Sequence, residues 1–82
     1  MKKFTDYYSR EKVTAIKGMA RVLIEYEIKT RGIADSLTED DTNSIGYQCC
    51  RFFDCMNCDF RMMIDEWIFT EAEKMYNKMN NQ

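Results

Sequence analysis

Helix-breaking residues are nearly absent from this sequence, which contains no proline and only three glycines among 82 residues. Collagen-like chains, glycine-rich linkers and turn-rich β architectures depend on those residues, so the composition excludes them. Apolar residues make up 45% of the chain and aromatic residues 13%, which is typical of a chain that folds around a core. The length allows one domain, and we expect residues 1–82 to form a single helical domain.

The first third of the chain has a strong helical period. At 3.6 residues per turn, its apolar residues fall on one broad arc: Val13, Ile16, Met19, Ala20, Val22, Leu23 and Tyr26. Charged residues occupy the opposite side, so the pattern predicts an amphipathic helix over residues 5–30. Thr5 or Ser9 is suited to cap its start, and Gly32 suits the left-handed position after its end. We expect a loop over residues 31–38.

A second helical period begins after Thr38, a good N-cap followed by three carboxylates in the first turn. No breaker stronger than Gly46 interrupts the period, so it predicts one helix over residues 39–69. One wide, aromatic face of that helix carries nine apolar residues: Ile45, Cys49, Phe52, Phe53, Met56, Phe60, Met63, Ile64 and Trp67. After Phe69 the apolar positions move to another face. Thr70 begins a sequence that fits a capping box, which predicts a kink near Thr70 or a new short helix over residues 70–79.

The predicted second helix also carries a narrower apolar strip, formed by Cys55, Cys58, Met62 and Phe69. A helix with two apolar strips needs two packing partners, and the first helix covers only one of them. The sequence therefore predicts an all-α fold, a long antiparallel helical hairpin with a short C-terminal third helix. It also predicts a homo-oligomer, with a dimer favoured, in which the strip forms the protein interface.

The four cysteines lie within ten residues, and Cys50, Cys55 and Cys58 have the C-x4-C-x2-C spacing of one type of iron–sulfur loop. That loop needs a distant fourth thiolate, and the remaining cysteine is the adjacent Cys49. On one helix the four thiols point in diverging directions, so we expect small apolar core residues, with no metal and no cofactor. The first residues lack the apolar segment of a secretory signal, and no apolar run could span a membrane. We therefore expect a reduced, cytoplasmic protein.

Charge is unevenly distributed along the chain. Residues 1–32 hold eight basic and four acidic side chains, whereas residues 33–82 hold four basic and ten acidic ones. Neither balance is strong enough to favour nucleic acid or an anionic membrane as the partner. A basic stripe on the first predicted helix has two interpretations, a solvated face or an anion- or nucleotide-binding site. Its members are Arg10, Lys17 and Arg21, with Tyr8 nearby.

Catalytic machinery is not indicated. The chain has no histidine, the commonest general base, and the carboxylates that share a helix face are about 10–16 Å apart along it. No glycine-rich phosphate loop, nucleophile–base pair or metal motif is present in the sequence. We expect no catalytic residues and no enzyme activity.

The leading functional hypothesis is a non-catalytic helical protein that binds another macromolecule stoichiometrically, as an inhibitor, adaptor or regulator. Small helical chains without proline or motifs are common among accessory proteins of phages and mobile elements, including inhibitors of host defence. That association holds at the level of class, because no residue of this chain establishes it. The alternative hypothesis is an oligomeric small-ligand module that sequesters an anionic metabolite or nucleotide through the basic stripe.

Overall fold

The computed structural model describes residues 2–32 and 36–81 of the chain, which are helical without any strand. The prediction of an all-α protein is confirmed. A 3₁₀ turn and three helices follow one another: Phe4–Asp6, then α1 (Arg10–Arg31), α2 (Glu39–Phe52) and α3 (Cys58–Asn80). Each of the three helices contacts the other two.

Side-chain caps fix where the helices begin. The hydroxyl of Ser9 accepts a hydrogen bond from the amide of Lys12 (3.2 Å), so α1 begins later than the predicted residue 5. Thr38 caps α2 as predicted, with its hydroxyl accepting from the amide of Asp41 (3.2 Å). The predicted cap Gly32 follows α1 with φ at 83°, in the left-handed region that glycine favours. Residues 33–35 of the predicted loop lie outside the described residues.

The predicted single helix over residues 39–69 is wrong, because the chain turns between α2 and α3 at residues 53–57. Asn57 starts the new helix, since its side-chain oxygen accepts a hydrogen bond from the amide of Phe60 (3.0 Å). The predicted new helix at Thr70 is also wrong. α3 continues through Thr70, whose hydroxyl donates to the carbonyl of Glu66 one turn earlier (3.1 Å). The long two-helix hairpin is thus replaced by three helices.

The core lies where the three helices meet, and one residue type dominates it. The largest fully buried aliphatic side chains are isoleucines: Ile16, Ile24, Ile28, Ile64 and Ile68. Burying each such side chain is worth about 1.5–3 kcal/mol, which makes this cluster the main source of stability. Several residues of the predicted apolar faces lie outside the core. The large apolar side chains of those faces that are exposed are Val22, Tyr26, Phe52 and Met56.

Aromatic rings close one end of the bundle. Phe60 of α3 is fully buried, and three rings from the N-terminal segment meet it edge to face. The ring centroids of Phe4, Tyr7 and Tyr8 lie 5.8, 6.2 and 4.7 Å from that of Phe60. Such edge-to-face pairs add about 0.5–1.5 kcal/mol each beyond their buried area. The segment before α1 is therefore packed against the first turn of α3.

Candidate functional site

One face of α3 is left uncovered by the other described residues. Met62, Glu66, Phe69 and Glu73 follow one another at spacings of four, three and four residues, which places them within about 60° of helix circumference. The side chain of Met62 is 70% exposed and that of Phe69 is 41% exposed. We call these four residues the α3 face. It is the surviving part of the apolar strip that the sequence predicts.

An open groove of about 830 Å³ borders the α3 face on one side. Phe4 and Tyr7 of the N-terminal segment form one wall, and α3 forms the other through Met63 and Trp67. The rim of the groove carries Asp59, Glu66, Thr70 and Lys2. The groove therefore has an apolar floor and a mainly acidic rim.

Two smaller cavities border the α3 face on the other side, towards α2. The first, of about 410 Å³, lies between Met62 and Phe69 and is lined by Glu39, Asn43 and Asp65. The second, of about 290 Å³, lies beyond Phe69 and is lined by Leu37 and other residues near the start of α2 and the end of α3. Met62 and Phe69 thus protrude between the groove and the two smaller cavities, and together these features form one continuous surface.

Acidic groups dominate the charge of this surface. Among the described residues, five carboxylates line the three cavities, at Glu39, Asp59, Asp65, Glu66 and Glu73, whereas Lys2 is the single lining cation. Asp65 is already partnered, because Arg61 donates to its carboxylate at 3.1 Å. Burial raises the pKa of Asp65, and the hydrogen bond and charge of Arg61 oppose that rise. In the described part of the chain, the other four carboxylates have no ion pair.

The four residues of the predicted protein interface differ in exposure, because three of them are exposed and one is buried. Met62 and Phe69 are exposed, as an interface requires. Cys58 is also exposed, at the start of α3. The prediction is wrong for Cys55, because its side chain is fully buried in the turn between α2 and α3. Since Cys55 lies in this turn and not on α3, it does not share a helix face with Met62 and Phe69.

The predicted basic stripe is also divided. Arg10 and Lys17 line a cavity of about 290 Å³ together with Lys3 and Thr14, so two of the predicted residues meet there. Arg21 does not line that cavity, and its guanidinium lies 5.2 Å from the Trp67 ring centroid. Its nearest carboxylate is that of Glu71, at 3.7 Å.

Two other residues of the predicted anion site, Lys17 and Tyr8, also contact aromatic rings. The ammonium group of Lys17 lies 4.4 Å from the ring centroid of Phe4 and 5.0 Å from that of Trp67. Burial lowers the pKa of Lys17, the charge of Arg21 lowers it further, and Glu71 opposes both. Tyr8 packs against Phe60 and lines none of this cavity. Of the three cations in the predicted stripe, Arg10 is the one that lines this cavity without an aromatic or carboxylate partner among the described residues.

Metal-ligating side chains do not converge within residues 2–32 and 36–81, where no cluster of three such groups could hold an ion. Cys49, Cys50 and Cys55 are buried, whereas Cys58 is exposed. Burial raises the pKa of Cys49 and of Cys50 from 9.0 to about 11, so both thiols are protonated at neutral pH. Neutral thiols are weak nucleophiles and weak ligands.

Sequence reasoning missed the groove between the N-terminal segment and α3. Phe4 precedes the helix predicted over residues 5–30 and Tyr7 lies in its first turn, and helical periodicity does not show which residues they contact. A useful signal was present, since Phe4, Tyr7 and Tyr8 form an aromatic cluster ahead of the helix. Such a cluster needs apolar contacts elsewhere in the fold.

No helix within the described ranges combines the length and apolar character needed to cross a membrane. Comparisons of the chain with protein families, with curated proteins and with solved structures find no match.

Proposed function

We propose that the protein is a non-catalytic interaction module that binds another macromolecule stoichiometrically through the α3 face. The observation that carries this proposal is the exposure of Met62 and Phe69 on a chain whose own core is closed. Burying a large apolar side chain at an interface is worth about 1.5–3 kcal/mol, so these two residues can supply a large part of a binding energy. The grooves beside them offer depressions for side chains of the partner.

The chemistry of the side chains supports a role in binding over one in catalysis. The sequence contains no histidine, and burial raises the pKa of Cys49 and Cys50 to about 11, which moves both thiols further from ionisation at neutral pH. Asp65 has a raised pKa, but its carboxylate is held by Arg61 in a contact between α2 and α3. A surface that binds and occludes another protein fits an inhibitor, an adaptor or a regulator.

Affinity capture with paired variants tests this proposal. The tagged chain should recover a macromolecule in near one-to-one amount from cells of its source. The variant Met62→Ser with Phe69→Ser should recover about tenfold less, because the apolar contacts are lost. The matched control Val22→Ser with Tyr26→Ser removes two exposed apolar side chains from α1 and should recover the normal amount.

The proposal fails if the α3 variant recovers the same partner as the unmodified chain, or if the α1 control loses it equally. Circular dichroism of each variant shows whether the helices remain. All four substituted residues are exposed, so the helix content should be unchanged.

A second candidate function is anion binding at the cavity lined by Lys3, Arg10 and Lys17. The convergence of three cations from the N-terminal segment and α1 is the observation that favours it, since paired cations match phosphate oxygens. Titration with ATP and with inorganic phosphate tests it. Binding should be lost in Arg10→Gln and kept in Lys78→Gln, a matched removal of an exposed cation. Absence of binding by the unmodified chain would contradict this candidate.

Self-association stays a prediction, but its physical basis has changed. The sequence predicts a homo-oligomer because one long helix carries two apolar strips. In the structure, α1 and α2 both pack against α3, so the chain itself provides two partners. Met62 and Phe69 are the remaining basis for an oligomer at the predicted interface. Light scattering distinguishes the chain mass of 9.8 kDa from its multiples.

A further inference from the structure

From the charge and shape of the α3 face we infer the chemistry of the occupant, a cationic amphipathic segment of another protein. This inference rests on the proposed function, because it takes the α3 face as the contact surface. Such a segment presents apolar side chains to Met62 and Phe69 and basic side chains to the carboxylates around them. Three observations carry the inference: the spacing of the apolar residues, the unpaired carboxylates, and the unsuitability of a second copy.

The apolar residues of the α3 face are spaced for a regular partner. Met62 and Phe69 are seven residues apart, which is about 10 Å along α3. Two anchors at that distance match apolar side chains two turns apart on a second helix packed along the first. The groove at Phe4 and Trp67 lies alongside and gives the partner's apolar side an adjoining depression.

The carboxylates around those anchors are available to a cationic partner. Asp59 and Glu66 lie on the groove side, Glu39 lies towards α2, and Glu73 follows Phe69. Among the residues that the structure describes, none of these four carboxylates is engaged in an ion pair. Of the described side chains that line these cavities, Lys2 alone is a cation. Complementary potential at the rim of an interface selects the partner and speeds association.

A second copy of the chain is disfavoured as the occupant of this surface. A two-fold dimer pairs the same patch of each subunit, so the carboxylates of Glu66 and Glu73 would lie opposite the acidic α3 face of the second copy. Like charges placed opposite one another disfavour that pairing, and the bordering Asp59 adds to the repulsion. Nucleic acid and anionic lipid are disfavoured by the same charges. A cationic protein segment is the occupant that satisfies both the apolar and the acidic parts of the surface.

Defined peptides test the inference without knowledge of the natural partner. The probe is a synthetic amphipathic helix of leucine and lysine, added to the full chain. Trp67, the only tryptophan, lines the groove beside the α3 face, so its fluorescence reports binding. We expect saturable one-to-one binding that weakens as salt is raised. A leucine–glutamate peptide of the same pattern should not bind, nor should an alanine–lysine peptide, which keeps the charge but lacks the large apolar residues.

Matched variants separate specific binding from general attraction to an acidic chain. The double variant Glu66→Gln with Glu73→Gln should bind the leucine–lysine peptide about tenfold more weakly, because two complementary charges are lost. Glu11→Gln with Glu25→Gln changes the net charge of the chain equally, on α1, and should leave the affinity unchanged. Equal loss in both variants would overturn the inference, as would tighter binding of the leucine–glutamate peptide.

The failure of this inference is distinguishable from failure of the proposed function. If the partner captured through Met62 and Phe69 has no basic segment and the leucine–lysine peptide does not bind, the inference is wrong and the proposed function stands. A dimer in light scattering that Met62→Ser with Phe69→Ser converts to monomer would also overturn the inference, in favour of a second copy. If capture does not depend on these residues, the proposed function itself fails.

Discussion

At the scale of single residues, Gly46 shows how closely α2 and α3 approach each other. Arg61 of α3 donates to the carbonyl of Asn43 on α2 (3.0 Å) and to the carboxylate of Asp65 (3.1 Å). That carboxylate lies directly over the backbone of Gly46, and a Cβ atom there would overlap it. The glycine therefore permits a polar contact that joins the two helices.

The substitution Gly46→Ala should lower the free energy of unfolding by about 1–3 kcal/mol, because the methyl group displaces a carboxylate held by Arg61. Gly18→Ala is the matched control, in the middle of α1 with open space around its Cβ position. It should raise the free energy of unfolding by about 0.5–1 kcal/mol, because alanine favours a helix. Urea unfolding monitored by circular dichroism measures both. Stabilisation by Gly46→Ala would contradict the described contact.

The cysteines give a second test at this scale. In the native protein, iodoacetamide should modify Cys58 rapidly, because it is the exposed thiol. Cys49, Cys50 and Cys55 should react only after unfolding, since they are buried and a thiolate is the reactive form. Mass spectrometry of the protein labelled with and without urea counts the modified sites. Rapid labelling of all four thiols in the folded chain would contradict the structure.

The same thiols predict how stability depends on alkaline pH. Burial raises the pKa of Cys49 and Cys50 to about 11, with the neighbouring thiol Cys50 adding to the rise at Cys49 and Arg61 opposing it at Cys50. The unfolded chain releases these protons near pH 9, whereas the folded chain keeps them. The stabilising contribution is therefore complete below pH 9 and is lost as the pH rises from 9 to about 11. Across that range, the urea midpoint of the double variant Cys49→Ser with Cys50→Ser should fall less than that of the unmodified protein.

At the scale of helices, the turn between α2 and α3 explains the largest error of the sequence prediction. The amide of Asp54 donates to the carbonyl of Arg51 (3.3 Å), and that of Cys55 donates to the carbonyl of Cys50 (2.7 Å). This pair of bonds is a Schellman motif, which satisfies the last carbonyls of α2. Asp54 takes the left-handed position with φ at 57°. Cys50 and Cys55 occupy the two positions whose apolar contact commonly accompanies this motif, and both are buried.

Replacing Asp54 tests the turn. Asp54→Gly should raise the free energy of unfolding by about 0.5–1 kcal/mol, because glycine adopts the left-handed conformation without strain. Asp54→Val should lower it by about 1–2 kcal/mol, because a β-branched residue is disfavoured there. Thermal and urea unfolding of the two variants give the comparison. The opposite order of stability would indicate that α2 and α3 are joined in some other way.

Helix periodicity predicted much of the fold but could not predict this turn. Glycine and proline are the usual signals of a helix end, and the Schellman motif here uses an aspartate instead. Asn57 was a signal that the sequence offered, because asparagine is a strong N-cap and accepts from the amide of Phe60. A helix that continued to residue 69 would place Phe52 and Met56 on one apolar face with Phe60 and Ile64. Because the helix breaks, Phe52 is 72% exposed and Met56 is 53% exposed.

At the scale of the whole molecule, the extra helix changes how the core is closed. Three helices each contact the other two, and the aromatic N-terminal segment covers Phe60 at one end. The chain therefore buries most of its apolar face without a second subunit. Met62 and Phe69 could be predicted as an uncovered strip because α3 keeps its helical period across them. The acidic rim could not be predicted as one surface, because it joins residues from α2 and α3.

The central claim is that the α3 face contacts the partner, and methionine oxidation of the isolated complex tests it most directly. Met62 and Met56 are both well exposed in the free chain, at 70% and 53%, so hydrogen peroxide should oxidise both. In the complex, Met62 should be protected while Met56, in the turn between α2 and α3, stays reactive and serves as an internal control. Mass spectrometry of the bound and free chain gives the two rates. Protection of Met56 with Met62 still reactive would contradict the account.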